Sequence, residues 1–528
     1  MTTPGYFTMS VNTYFDLSKT LYAVVFAIFL SGVWTLSKIG RRPKALPPGP
    51  PTLPILGNLH QFPSQKSHLQ FEKWSREYGP IYSLVLGTRP VIVLNSAQAV
   101  KDLLDRRGAI YSSRPESYMA QAVLSGGLRV LFMDDGSTWK TVRQLAHRIL
   151  NVAAARTYVP YQDLENRAML KSMLEAPAHF INHIRRYSGS LTTQMAFGFR
   201  TTTIEDPKFK QTFDVCSSHA ASLLDLFPIL HSLPDCMLPL VQEARELHRR
   251  ECQLFREYYL NAKRRLQDGT AKPCVCVDLV RMQQTENFSD DMAAYISGAL
   301  LQAGSETTAS ILVGFIQAMV ICPNVARAAQ AELDRVCGDR LPDLNDVPEL
   351  PYIRACAKET LRWMPGFLLG IPHATTQEDT YLGYRIPKGS TVIMNVWALH
   401  SDPDRYPNPR QFEPMRYIDD HQTSEEAATN ADVLQRDHFV FGAGRRRCQG
   451  MHIVDRSMYL AISRLLWAFD LKRSPTKREV VPDPDALVEG FMAMPKPFPV
   501  NITPRSEEKA QRVREEWQKV RPMLDEAG

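Results

Sequence analysis

Residues 439–452 read FVFGAGRRRCQGMH and run straight into the apolar stretch IVDRSMYLAISRLLWAF. One cysteine, Cys448, therefore stands where a glycine-rich loop becomes a helix. A thiolate placed there gains from the helix amino terminus, from backbone N–H donors and from nearby cations, all of which depress a cysteine pKa and suit a metal ligand. Gly442, Gly444 and Gly450 let the main chain curl close beneath a flat cofactor. Taken singly, a cysteine is a small hydrophobe and an Arg-Arg-Arg run is a solvated patch; the combination constrains the fold far more than either.

The rest of the chain has to present that loop. Apolar periodicity predicts helices over 139–154, 161–187, 241–267, 290–321, 323–337, 350–363 and 451–469, with a strand, turn and strand from Ile81 to Leu94 and short strands over 379–396. The fold class is mainly α with a minor β-sheet region, since no strand–helix alternation or internal repeat occurs. Of the 528 residues, 44% are hydrophobic and 22% charged, which excludes a disordered chain. A net charge of +6 is too slight for nucleic-acid binding, and no nucleic-acid partner is expected. The nine cysteines show no paired zinc spacing, so free thiols in a reducing compartment are expected. His179 and His183 share a helix face without a third ligand and are read as an ordinary surface. There is no dinucleotide fingerprint, phosphate loop or zincin helix; any redox chemistry must import its electrons.

From Thr20 to Ser37 the chain carries no charge, a run that spans roughly 27 Å as a helix. Lys38, Arg41, Arg42 and Lys44 follow it, which predicts a retained single-pass anchor with its carboxyl side in the cytosol. Five prolines between Pro47 and Pro54 then read as a stiff spacer. The sequons at Asn287 and Asn501 would never meet the glycosylation machinery and are chance matches. Residues 1–37 thus form the amino-terminal segment with the anchor at about 20–37, 38–58 a basic, proline-rich hinge, 59–503 the catalytic body and 504–528 a charged tail, expected as a solvated helix.

Within the body, Ala303-Gly-Ser-Glu-Thr-Thr308 interrupts a long apolar helix framed by Ser289, Asp290, Asp291 and Pro323, a polar cluster that a lipid-facing helix would not carry. Glu359 and Arg362 stand three apart on another helix, Arg416 follows in FEPMRY, and Trp139 and Arg143 stand in WKTVR. With Phe441, Gly444, Arg446, Cys448 and Gly450, these motifs resemble, in order, those of the cytochrome P450 superfamily. The resemblance covers the chain from the hinge to about residue 503, with five motifs in place. In overall look it is nearest to fungal microsomal members that oxidise polyketide, terpenoid or indole-alkaloid intermediates, the O-methylsterigmatocystin oxidoreductase type among them.

That resemblance implies the cytochrome P450 fold with one N-terminal transmembrane helix, and a haem b whose iron takes Cys448 as its thiolate ligand. It implies that Trp139, Arg143, His373 and Arg446 contact the haem propionates and that Phe441 packs beside the sulfur; Arg114 in SSRP is not included in this set. Glu306 lies in the proton-delivery path, Thr307 orients bound dioxygen, and Gly304 opens space over the haem. Glu359, Arg362 and Arg416 form a buried structural triad. Implied partners are NADPH–cytochrome P450 reductase, which relays NADPH electrons to a docking face of Lys140, Arg445 and Arg447, and cytochrome b5. The implied location is the endoplasmic reticulum membrane. The implied activity is monooxygenation of a hydrophobic small molecule, contacted by residues 115–130, 219–240, Leu300, Ala303, Phe367–Ile371 and Phe491–Met492. A haem-thiolate isomerase or dehydratase, or a haem sensor, are the rival readings.

Overall fold

The structure is a computed structural model that describes residues 11–203, 205–206, 231, 238–474, 481–488, 490 and 492–521. Among these, twelve helices of eight residues or more occur: α1 (Val11–Lys38), α2 (Ser67–Tyr78), α3 (Ser137–Leu150), α4 (Val159–Glu175), α5 (Phe180–Phe197), α6 (Pro239–Gln267), α7 (Val275–Met282), α8 (Asp290–Ile321), α9 (Pro323–Cys337), α10 (Pro351–Trp363), α11 (Met451–Ala468) and α12 (Glu507–Val520). The expectation of a mainly helical body with minor sheet holds.

One four-stranded sheet has the order β1-β2-β4-β3, where β1 is Ile81–Leu86, β2 Arg89–Leu94, β3 His373–Ala374 and β4 Thr391–Met394. The β1–β2 hairpin pairs Ile81 with Leu94, as its alternation suggests, whereas β2 and β4 run parallel with Leu94 opposite Met394. Parallel strands need a crossover; here it runs from Leu94 to Thr391 and contains most of the helical body.

The long helix α8 is the spine. Ser289 caps it by accepting from the Met292 N–H at 3.1 Å, and Asp290 and Asp291 complement the dipole in its first turn. Its length and apolarity would suffice to cross a membrane, but most of it is buried within the protein, as its central polar cluster requires.

Three local expectations are corrected. The run 161–187 is two helices, because Pro177 lacks a donor and opens a 3-10 turn, Pro177–His179, between α4 and α5. α5 then continues to Phe197 through buried Ser188, Ser190, Thr192, Thr193 and Gln194; apolar periodicity misses these polar residues. Buried Glu165 of α4 serves them, accepting from Ser190 at 3.0 Å, Gln194 at 2.7 Å and Arg186 at 2.5 Å. The proline-rich hinge is folded onto β1 rather than held off as a spacer. Prolines lose donors but keep acceptors, and the Pro48 carbonyl receives the Ser83 N–H at 2.7 Å while Asn58 donates to Pro50 and Pro51. The tail helix α12 is docked, not solvated: Ala510, Val513 and Val520 are buried, and Trp517 receives Lys171 and Arg200 over its ring, each at 5.8 Å.

α1 spans about 42 Å at the usual rise. The described side chains of Leu21–Trp34 are apolar and exposed.

Candidate active site

The cysteine loop is a set of tight turns. The Gly442 N–H donates to Phe439 O at 3.0 Å, the Arg447 N–H to Gly444 O at 3.3 Å and the Cys448 N–H to Phe441 O at 2.9 Å. Gly444 has φ +60°, and a Cβ there would stand 2.0 Å from the Leu104 carbonyl oxygen; its N–H donates to Asp105 at 2.6 Å. No other residue fits that position. Phe441 sets its ring edge-on to His438 at 5.3 Å, so the contact visible for it is with His438, and its carbonyl holds the Cys448 amide.

Cys448 is exposed, with protein bulk packed about its loop. That bulk pushes the thiol pKa up, opposed by the Gly450 N–H at 3.3 Å and then by the Arg143 charge. Desolvation and the loop's own donors and cations thus act in opposite directions on this thiol.

Beside the thiol lies a cluster of cations. Arg114 donates to the Leu131, Ile371 and Pro372 carbonyls at 2.9, 2.9 and 2.6 Å. Arg446 donates to Ser112 O and Met133 O, each at 2.7 Å, and lies 3.8 Å over the Trp139 ring. Arg143 donates to the Arg447 carbonyl. Burial pushes Arg143 and Arg446 down to about 10, and it lowers Arg114, assisted by the other two charges. Among the described residues, none of the three has a carboxylate within ion-pairing distance. Arg114 is buried and Arg143 and Arg446 are half-buried, and cations withdrawn from water need an anionic partner. Arg114, left out of the sequence-predicted set, stands in the same cluster, its charge felt with those of Arg446 and Arg143.

His373 is buried, and its Nδ1–H donates to Tyr111 O at 2.8 Å. Burial and then Arg114 push its pKa down to about 3. The neutral ring presents Nε2 as an acceptor, so the expected donation to a propionate requires a second proton, which an adjacent carboxylate would stabilise.

On α8, Leu300, Ala303 and Thr307 share one face. Ala303 is exposed and Leu300 and Thr307 are half-buried, whereas Leu301, Ser305, Thr308 and Ala309 are buried. An uncovered alanine in a buried helix marks room for a bound group. The Thr307 hydroxyl donates to Ala303 O at 2.6 Å, and the half-buried Glu306 carboxylate has no hydrogen-bond partner among the described residues. Gly304 does not open this space. Its missing Cβ faces α5, 2.6 Å from Thr192 Oγ1, and its carbonyl accepts from Ser188 at 2.7 Å; the glycine serves helix packing.

The triad is assembled as expected. Buried Glu359 receives Arg362 through two bonds of 2.7 Å and lies 3.6 Å from Arg416. Lys140 and Arg445 are exposed, with Asp135 4.0 and 3.8 Å from them. Of the substrate-contact regions, most of 219–240 and Phe491 lie outside the described residues.

The Cytochrome P450 family model matches residues 47–502. The chain belongs to the cytochrome P450 family. Similar proteins are the cytochrome P450 monooxygenases fogE of Aspergillus ruber, 61% identical over 95% of both chains, and virE of Hypocrea virens, 57% identical over 94% of this chain and 92% of that one. The monooxygenase fsoB of Humicola fuscoatra is 49% identical over 97% and 95%. A solved zebra fish cytochrome P450 with progesterone has the same fold, with a TM-score of 0.68 at 24% identity, over 83% of this chain and 99% of that one. The chain is a haem-thiolate monooxygenase, and these relatives decide against the isomerase and sensor readings. This cytochrome P450 uses haem b and NADPH-derived electrons, and it works with a redox partner on a hydrophobic substrate.

Proposed function

We propose that this monooxygenase oxidises a hydrophobic intermediate of fungal secondary metabolism, with Cys448 as the ligand of the haem iron. The observation that carries the assignment is the exposed Cys448 beside three arginines, Arg114 buried and Arg143 and Arg446 half-buried, that have no carboxylate partner among the described residues. In this reading Arg114, Arg143 and Arg446 bind the propionates, Trp139 braces Arg446, His373 contributes once protonated, and Phe441 holds the Cys448 amide. The apolar wall of Leu300 and Ala303, with the 115–130 and Phe367–Ile371 segments, receives the substrate.

When bound, the haem supplies the binding and reductive cleavage of dioxygen, one atom entering the substrate and the other leaving as water. Thr307 commits its hydroxyl proton to Ala303 O, so its lone pairs are free to accept. It therefore orients a water rather than releasing its own proton. Glu306, without a partner among the described residues, swings between solvent and that water to renew the proton.

The boundaries 1–37, 38–58, 59–503 and 504–528 divide anchor, hinge, catalytic body and tail. α1 inserts once in the endoplasmic reticulum membrane with the body in the cytosol, an orientation supported by Lys38, Arg41, Arg42 and Lys44. NADPH–cytochrome P450 reductase is the electron donor and cytochrome b5 a second one, docking at Lys140, Arg445 and Arg447. Asp135 between the first two tempers that face. Charge reversal at Lys140 and Arg445 slows reduction and flattens its salt dependence; unchanged kinetics remove the docking face.

The deciding experiment is the absorption of the reduced protein under carbon monoxide. The red-shifted band of sulfur-bound haem is expected, and its loss in Cys448→Ala. A wild type without the band, or a variant that keeps it, overturns the assignment.

A further inference from the structure

The buried triad and the cysteine loop lie on different elements, and the His400 side chain bonds to the backbone of both. His400, at the end of the short helix Val396–His400, is buried. Its Nδ1 lies 2.9 Å from the carbonyl oxygen of Arg362, and its Nε2 lies 2.8 Å from the backbone nitrogen of Phe439. A backbone amide can only donate, so Nε2 accepts and the proton resides on Nδ1, which donates to Arg362. Arg362 returns a bond from Nη1 to the His400 carbonyl at 2.9 Å.

The path continues into the loop. Phe439 is buried, its carbonyl accepts from Gly442 at 3.0 Å, and the Phe441 carbonyl accepts from the Cys448 N–H at 2.9 Å. Every step from Glu359 to the amide of Cys448 is therefore a hydrogen bond or a short covalent segment.

We infer that His400 is the positioning residue that transmits the Glu359–Arg362 anchor to the cysteine loop and so fixes the sulfur for the haem. The inference rests on Cys448 being the ligand. Its requirement is an acceptor at the ε position toward Phe439; the link to Arg362 is doubled, because Arg362 Nη1 also holds the His400 backbone carbonyl, so the δ donor is the dispensable one.

Two amides separate those roles. Gln presents its oxygen near the ε position and preserves the bond from Phe439, whereas Asn presents its amide near the δ position and preserves only the bond to Arg362. The reduced carbon monoxide spectrum and the haem midpoint potential are measured for wild type, His400→Gln and His400→Asn, with melting temperature on the same samples. His400→Asn is expected to shift the ratio of sulfur-bound to displaced haem about tenfold toward the displaced form, with an altered potential. His400→Gln is expected to stay near wild type even where its melting temperature falls as far.

Equal spectral effects in both variants, or none in His400→Asn, overturn the inference. A wild type lacking the sulfur-bound band overturns the ligand assignment instead, which keeps the two failures apart. Should neither variant fold, amide hydrogen exchange in the wild-type protein still decides. The Phe439 N–H is expected to exchange as slowly as the core of α11, and fast exchange there overturns the inference.

Discussion

Gly444→Ala tests how closely the cysteine loop is fitted to its bed. Gly444 sits at φ +60°, a region that costs an L-residue about 1–2 kcal/mol. The added methyl would also stand 2.0 Å from Leu104 O, a backbone atom that no side-chain rotation moves aside. An ordinary carbon–oxygen contact is about 3.3 Å, so loop or strap must give by about 1.3 Å. Forced repacking of that kind costs about 1–3 kcal/mol, and the total is about 2–5 kcal/mol. With Cys448 as the proposed iron ligand four residues on, the displacement is read in the haem. Gly442 is the control: it also has positive φ, at +75°, but its nearest neighbour, Arg446 O, is 3.7 Å away. Gly442→Ala carries the conformational cost alone. Purified variants compared for haem content, reduced carbon monoxide spectrum and melting temperature should rank wild type, Gly442→Ala, Gly444→Ala. Equal loss in the two variants, or full haem content in Gly444→Ala, refutes the steric reasoning.

Replacing Glu359 by Gln leaves Arg362 and Arg416 facing no anion and should destabilise by about 3–5 kcal/mol, read as a lower urea midpoint; a midpoint unchanged from wild type contradicts a buried triad. Thr307→Ala should raise hydrogen peroxide released per NADPH consumed, and tight coupling in that variant would reduce the hydroxyl to its bond with Ala303. Burial pushes Asp455 up to about 6, with Ser424 opposing, against an ordinary value near 3.9. Between about pH 4 and 6 the folded protein keeps a proton the unfolded chain has released, so this contribution is present at low pH and lost as pH rises through 6. Asp455→Asn should flatten stability across that window, and an unaltered slope would show that the group titrates normally.

The parts of the site legible in the sequence are those encoded by residue type and spacing: Cys448 among its glycines, Glu359 with Arg362, Trp139 with Arg143, and the capped helix carrying Thr307. What stayed hidden depends on partners brought together by the tertiary fold. Gly304 reads as an opening in its own helix until Thr192 is seen against it. His400 is one histidine among thirteen until its two nitrogens meet two backbones. The tail reads as soluble because its charges outnumber its few apolar residues, and only the surface of α4 explains Trp517. Asp105, whose carboxylate receives the Gly444 N–H, carried no sequence signal at all.

The parallel pairing of β2 with β4 also orders events at the ribosome. The first hairpin can form as soon as Leu94 emerges, but the strand that covers its flank begins only at Thr391. At about 5–20 residues per second that flank waits roughly 15–60 s with its amide and carbonyl groups unpaired. For that interval a nascent chain offers a sticky sheet border to its neighbours, and the demand for chaperones should peak before the cysteine loop has been translated.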